Sequence, residues 1–247
     1  MPPLFRAVTF DCWNTLIAEE DWHVAHSLRV SALRMAAREA AIDATEEMAR
    51  RAFDAAWEHH MALWREGIAS GAREVAQWAL ADLGAAVEGA PLRHLVENFE
   101  KASHTSQLVA LAGAKSTLQE LAEAGVRRAL ICDTGLTPGR VVRQHLDRLG
   151  LLSLLEVQVF SDEVGAPKPD SRIFRAALTA IGERPGEAVH VGDLKRTDVA
   201  GARNFGMATV RLRDRNDDSS TLPEADHVAD SHAHLREILG VYSETHD

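Results

Sequence analysis

Two cysteines, Cys12 and Cys132, are all that this chain carries. Two thiols cannot build a disulfide framework, and their separation is not that of metal-binding pairs, so free thiols in a reducing compartment are expected. Long apolar runs are missing too: no stretch approaches the ~20 residues of a membrane span. The opening MPPLFRAVTFDCW lacks a basic segment followed by an apolar one. A cytoplasmic chain with no membrane partner is therefore expected. Basic charge is in deficit, with 27 Lys and Arg against 37 Asp and Glu and a formal net charge of -10. That balance argues against nucleic acid as a partner while leaving room for a local cationic pocket. What remains, 247 residues with 46% hydrophobic and 26% charged, is an ordinary globular composition, enough for one large core or a core plus a smaller domain.

The first apolar run, residues 4–10, is short, partly β-branched or aromatic, and ends in the polar cluster 11–15. It reads as a buried strand delivering a loop. From about residue 17 to 104 the pattern turns to Ala-, Arg-, Glu- and Leu-rich segments with helical periodicity, punctuated by glycines, which predicts an all-helical block. Strand and helix signals then alternate. Helices are expected near 114–124, 139–149, 171–181 and 199–205. Strands are expected at 128–132, up to 160, and at 188–191, 209–212 and 227–229. This alternation predicts an α/β fold with a doubly wound, mostly parallel Rossmann-like sheet and an inserted all-helical domain. The core is assigned to 1–17 and 107–247, the insertion to 18–106. Residues 213–220 read as a polar, mobile loop.

In such a sheet, ligands bind at the carboxyl ends of the strands. Asp11, Cys132, Asp133, Thr134, Lys168 and Asp193 all fall at or shortly after expected strand ends. A carboxylate there can attack phosphorus or carbon, splitting one displacement into two through a covalent intermediate. A phosphoryl group also calls for a cation, and Mg²⁺ suits oxygen ligands such as Asp11 and Asp193. Lys168 would stabilise charge on the nucleophile and on phosphoryl oxygens.

Four segments make the pattern specific. FDCWNTL at 10–16 resembles the first motif of the haloacid dehalogenase (HAD) superfamily, ALICDTG at 129–135 the second, GAPKPD at 165–170 the third, and VGDLKRTD at 191–198 the fourth. Their order and spacing are similar to the family's across nearly the whole chain. The resemblance implies Asp11 as nucleophile with Thr15 as its supporting hydroxyl, and Mg²⁺ held by Asp11, the Trp13 carbonyl and Asp193. Asp198 would be an outer partner or brace the motif loop. Cys132, Asp133, Thr134 and Lys168 would surround the phosphate. The insertion is similar to the helical cap of the dehalogenase and phosphoglycolate phosphatase branches, whose closure excludes water and selects substrate.

Two positions depart from the family pattern. Its phosphatases carry a second Asp two residues after the nucleophile as acid and base, and here that position is Trp13. The second departure is Cys132–Asp133, where a hydroxyl residue and a small amide are usual. Asp133 near a phosphate would repel it unless paired or turned away. The expected activity is a Mg²⁺-dependent phosphatase of a small phosphorylated metabolite, favouring good leaving groups. The alternatives are a metal-free 2-haloacid dehalogenase, suggested by the aromatic Trp13, and a low-activity HAD-like binding protein. In the helical block, Trp57, His60, Met61, Trp64 and Arg65 recur at helical spacing and mostly read as packing, with Trp64 and Arg65 the candidates for substrate contact. His190 and His232 read as structural, and the cysteines as inert packing. Exposed cap helices leave a homodimer open.

Overall fold

The computed structural model describes residues 4–241. The elements run β1 (Ala7–Phe10), β2 (Ile17–Glu19), α1 (His23–Glu39), α2 (Glu46–Arg65), α3 (Ala72–Asp82), α4 (Gly89–Lys101), β3 (Leu108–Ala110), α5 (Ala114–Glu123), β4 (Arg127–Cys132), α6 (Gly139–Arg148), β5 (Val157–Phe160), α7 (Ser161–Val164), α8 (Ser171–Ile181), β6 (Ala188–Gly192), α9 (Ala200–Asn204), β7 (Ala208–Leu212), β8 (His227–Ala229) and α10 (His232–Leu239). They form two compact units. The first comprises Met1–Ala18, Val109–Asp133 and Arg143–Asp247, and the second Glu19–Leu108 with Thr134–Val142.

The first unit is built on a six-stranded sheet in the order β5-β4-β1-β6-β7-β8, parallel throughout. Parallel strands covered on both faces read as near-continuous apolar runs, and β1, β6 and the last four residues of β4 do so apart from Thr9 and His190. All four residues of β1 are buried. Helix α8 supplies Ile173, Phe174, Ala177, Leu178 and Ile181 to a core shared with Ala7, Ala129, Ile131 and Ala188 of the central strands. Asp170 starts that helix by accepting the Arg172 amide at 2.8 Å. The chain leaves β1 towards β4 and β5 on one side and returns to β6, β7 and β8 on the other. Such a reversal opens a crevice at the carboxyl ends of the central strands. Phe10 is level with Leu130 of β4 and Val191 of β6, so the loops after all three strands emerge together.

The second unit packs α1 to α4 around Leu33, Phe53, Val75, Leu95 and Phe99, all fully or almost fully buried. Phe53 and Phe99 meet edge to face with centroids 5.4 Å apart. Thr45 caps α2, accepting the Met48 amide at 3.2 Å. The block expected to be all-helical from residue 17 instead begins with β2, which forms a separate two-stranded sheet with β3. Bonds from Leu111 N to Leu16 O and from Glu20 N to Gln107 O, both 2.9 Å, make the pair antiparallel. Strands of three residues are too short to show a period of two. Among the described residues, no helix is long and apolar enough to cross a membrane.

Candidate active site

The loop after β1 is a tight turn. Leu16 N and Ile17 N both donate to Cys12 O, and Asn14 N donates to Ile17 O at 2.8 Å. Asn14 adopts φ 57°, a left-handed conformation that Asn tolerates better than most residues. The turn sets the buried Asp11 at the mouth of the sheet and Trp13, half-buried, beside it. The bonds that flank Trp13 do not use its carbonyl. Thr15 is fully buried, and its hydroxyl has no hydrogen-bond partner among the described residues. The support of Asp11 that the resemblance implied for Thr15 is not made. Thr15 instead presents its carbonyl to His232 Nε2 at 2.8 Å.

Lys168 holds the centre. It is only 2% exposed, and its Nζ donates to Asp11 Oδ1 at 2.5 Å and to Asp198 Oδ1 at 2.7 Å. Its backbone amide donates to Asp133 Oδ1 at 2.8 Å, so the carboxylate after β4 is paired by the loop rather than left facing an anion. Asp198 works on two fronts. Its Oδ2 accepts the Leu194 amide at 3.0 Å and the Thr197 hydroxyl at 3.2 Å, bracing the loop after β6, while its Oδ1 meets Lys168 and His190 Nε2. It lies so close to β6 that a Cβ on Gly192 would fall 2.3 Å from its Cγ, so only glycine fits there. Asp193, next in the chain, receives a bond from Asn216 Nδ2 to Oδ2 at 2.7 Å.

Carboxylate oxygens of Asp11, Asp193 and Asp198 lie within 4.8 Å of one another. Three carboxylates against one ammonium leave a formal excess of two negative charges in a buried site. The pKa values follow from that surplus. Burial favours the neutral acid at Asp198, but Lys168 and the His190 bond outweigh it and hold its pKa well below the carboxylate range. Asp11 is pushed well up by burial, against the pull of Lys168, and the neighbouring carboxylates push the same way. Asp193 is raised to about 6 by burial and by Asp198. Burial would lower Lys168, but Asp11 and Asp198 outweigh it and keep the ammonium charged. A hard divalent cation takes oxygen ligands and carries the compensating charge, so these residues fit one.

Cys132 is fully buried, its thiol against Cys12 and donating to Asp133 O at 3.4 Å. Burial and Cys12 push the Cys132 thiol pKa well up, which disfavours a reactive thiolate. Thr134 and Asp133 are half-buried in the loop after β4. Trp64, half-buried, and Arg65, exposed, end α2 in the second unit. Trp57 packs on that unit's core and stacks on His60 at 4.9 Å. His60 Nδ1 meets Ser70 Oγ at 2.7 Å.

Three contacts escaped the sequence reading. His190, expected to be structural, links Thr9 Oγ1 at 2.8 Å to Asp198 at 3.1 Å, and burial depresses its pKa. A histidine within an otherwise apolar strand is the signal that could have found it. Asn216 and its loop carried no such signal, since polar composition alone reads as a turn. That loop is pinned rather than free: Asp217 pairs with Arg211 at 2.8 Å, and Asp218 accepts the Lys195 amide at 2.8 Å.

Known proteins place this architecture. A ribulose-1,5-bisphosphate 5-phosphatase from Halopiger xanaduensis is 38% identical over 116 residues, 47% of this chain and 47% of that protein. A phosphoserine phosphatase from Thermus thermophilus is 34% identical over 169 residues, 67% of this chain and 65% of that protein. The match thus spans about half to two thirds of such relatives' lengths. A solved HAD phosphatase from Thermococcus onnurineus superposes with a TM-score of 0.68 at 24% identity, covering 95% of this chain and 98% of the other, a likeness of fold. The family model of haloacid dehalogenase-like hydrolases matches residues 5–206, and with four motif loops converging on one buried cluster the chain belongs to that family.

Proposed function

We propose that this chain is a Mg²⁺-dependent phosphatase of a small phosphorylated metabolite, with Asp11 as nucleophile. The observation that carries the reading is the buried Lys168 bridging Asp11 and Asp198, with Asp193 within reach, at the carboxyl ends of the central strands. The related phosphatases bear names of small phosphorylated metabolites, which supports that substrate class. Residues 18–106 form the cap in this reading, with Trp64 and Arg65 as substrate contacts, and the cytoplasm is its compartment.

Asp11, Asp193 and the Trp13 carbonyl would hold the cation, with Asp198 supporting them. When bound, Mg²⁺ offsets the surplus negative charge and polarises phosphoryl oxygens. An oxygen of Asp11 attacks phosphorus, and the bond from phosphorus to the leaving oxygen breaks. Water then attacks the aspartyl phosphate, releasing inorganic phosphate and restoring the carboxylate. Lys168 keeps its proton throughout and neutralises charge at Asp11 and on the phosphoryl oxygens. Cys132, Asp133 and Thr134, at and just after the end of β4, would surround the phosphate together with Lys168.

The indole of Trp13 offers no acid to the leaving oxygen, so that proton must come from solvent. Acyl and aryl phosphates, whose leaving groups need it least, are the preferred substrates. Phosphate release from a panel of such compounds, with Mg²⁺ and then with excess chelator, tests the proposal. Activity must require the metal and vanish in Asp11→Asn. Full turnover in chelator rejects the metal role, and full turnover in Asp11→Asn rejects the nucleophile.

A further inference from the structure

The segment between β7 and β8, whose composition suggests a mobile connection, is tied down at several points. Arg211, buried on β7, donates from Nε and Nη2 to the two oxygens of Glu224, at 2.8 and 2.9 Å, and from Nη1 to Asp217 at 2.8 Å. A fork-on-fork guanidinium pair of this kind fixes direction as well as distance. Lys195, within the fourth motif, gives its amide to Asp218 Oδ2 at 2.8 Å and its Nζ to the Ser220 carbonyl at 2.9 Å. Asn216 directly precedes the first of those anchored positions, Asp217. Its Nδ2 donates to Asp193 Oδ2 at 2.7 Å.

We propose that Asn216 is a positioning residue for the cation site. It fixes the Asp193 carboxylate by engaging one oxygen and leaving the other for the metal, and the Arg211 clamp holds it there. The inference rests on the proposed divalent-cation site of Asp11, Asp193 and the Trp13 carbonyl, with Asp198 in support. Outer partners that orient a ligating carboxylate set metal affinity without touching the metal, and losing one weakens binding by roughly 10–100-fold. A carboxylate relieved of Asn216 is free to rotate, and the cost of refixing it falls on binding. Asn216 is half-buried rather than part of a core, so its removal leaves the fold standing.

Mn²⁺ titration of the full chain, followed by the electron paramagnetic resonance of the free ion, reads affinity without turnover. Asn216→Leu, which keeps the branched shape and loses the donor, should bind Mn²⁺ about tenfold more weakly than wild type, with an unchanged circular dichroism spectrum. Arg211→Met should weaken binding in the same direction, and adding Asn216→Leu to it should weaken binding no further. Ser219→Ala, on the same loop but exposed, should bind as wild type does. Asp193→Asn separates the two ideas. If it abolishes Mn²⁺ binding while Asn216→Leu binds like wild type, the role of Asn216 is overturned and the site stands. If wild type itself binds no Mn²⁺, the site falls and the inference falls with it.

Discussion

Lys168→Met replaces a buried ammonium by an apolar side chain of similar length. Lysine 168 is 2% exposed and bonds two carboxylates, Asp11 at 2.5 Å and Asp198 at 2.7 Å. Removing one member of a buried ion pair leaves its partner uncompensated, at a cost of about 3–5 kcal/mol. Two carboxylates lose their partner here, so the upper part of that range applies. For a chain of this size, each kcal/mol lowers the thermal midpoint by roughly 2–4 °C, giving a fall of about 8–20 °C. Calorimetry in excess chelator at mildly alkaline pH measures it, with the carboxylates ionised and no cation to stand in for the lysine. Adding Asp198→Asn should recover part of the loss, because one uncompensated carboxylate is then gone. The exposed pair Arg184–Glu187 supplies the control, and Arg184→Ala should leave the midpoint where it was. A Lys168→Met protein that melts with wild type would refute the view that this lysine holds the site's charge together.

Three further outcomes follow from the same geometry. Trp13→Asp restores an acid beside the nucleophile and should raise turnover of alkyl phosphates by about 10²–10⁴ while moving aryl phosphates little; steady-state rates on the two classes decide it, and equal gains on both would exclude the role. Gly192→Ala puts a methyl group 2.3 Å from Asp198 Cγ, which drives Asp198 off Lys168 and His190. A stability loss of about 3–5 kcal/mol in denaturant titration, with activity abolished, is expected, and a fully active alanine variant contradicts it. Glu224 has its pKa lowered to about 2 by the Arg211 bond, against the opposing effect of burial. A depressed carboxylate contributes stability above its unfolded pKa of about 4.5 and loses it as pH falls through about 2. Glu224→Gln should therefore lie below wild type in stability near neutrality and converge with it by about pH 2; a gap that persists in acid would disprove the pairing.

The first unit was legible because its central strands, β1 and β6, are buried along their whole length. Residues 188–191 and 227–229 matched β6 and β8 closely, and the expected strand over 4–10 shortened to Ala7–Phe10. Pattern could not reveal β2 and β3, each three residues long with no room for alternation. The site divides the same way. Asp11, Lys168, Asp193 and Asp198 announce themselves through motif spacing, and the fold brings them together from positions as far apart as 11 and 198. His190 and Asn216 belong to no motif, and their importance lies in what they touch across the sheet and across a loop. Asp133 shows why composition misleads at a site: as a bare carboxylate it would repel phosphate, yet the Lys168 amide engages it. Such long-range pairings depend on tertiary structure, which local pattern does not encode.

In the proposed mechanism Asp11 carries the phosphoryl group. Rapid acid quench after mixing with an aryl phosphate and Mg²⁺, followed by peptide mass mapping, tests it most directly. One phosphoryl mass is expected on the peptide that contains Asp11, labile to hydroxylamine and missing in Asp11→Asn. Turnover with no label on that peptide, or with the label on another residue, would contradict it.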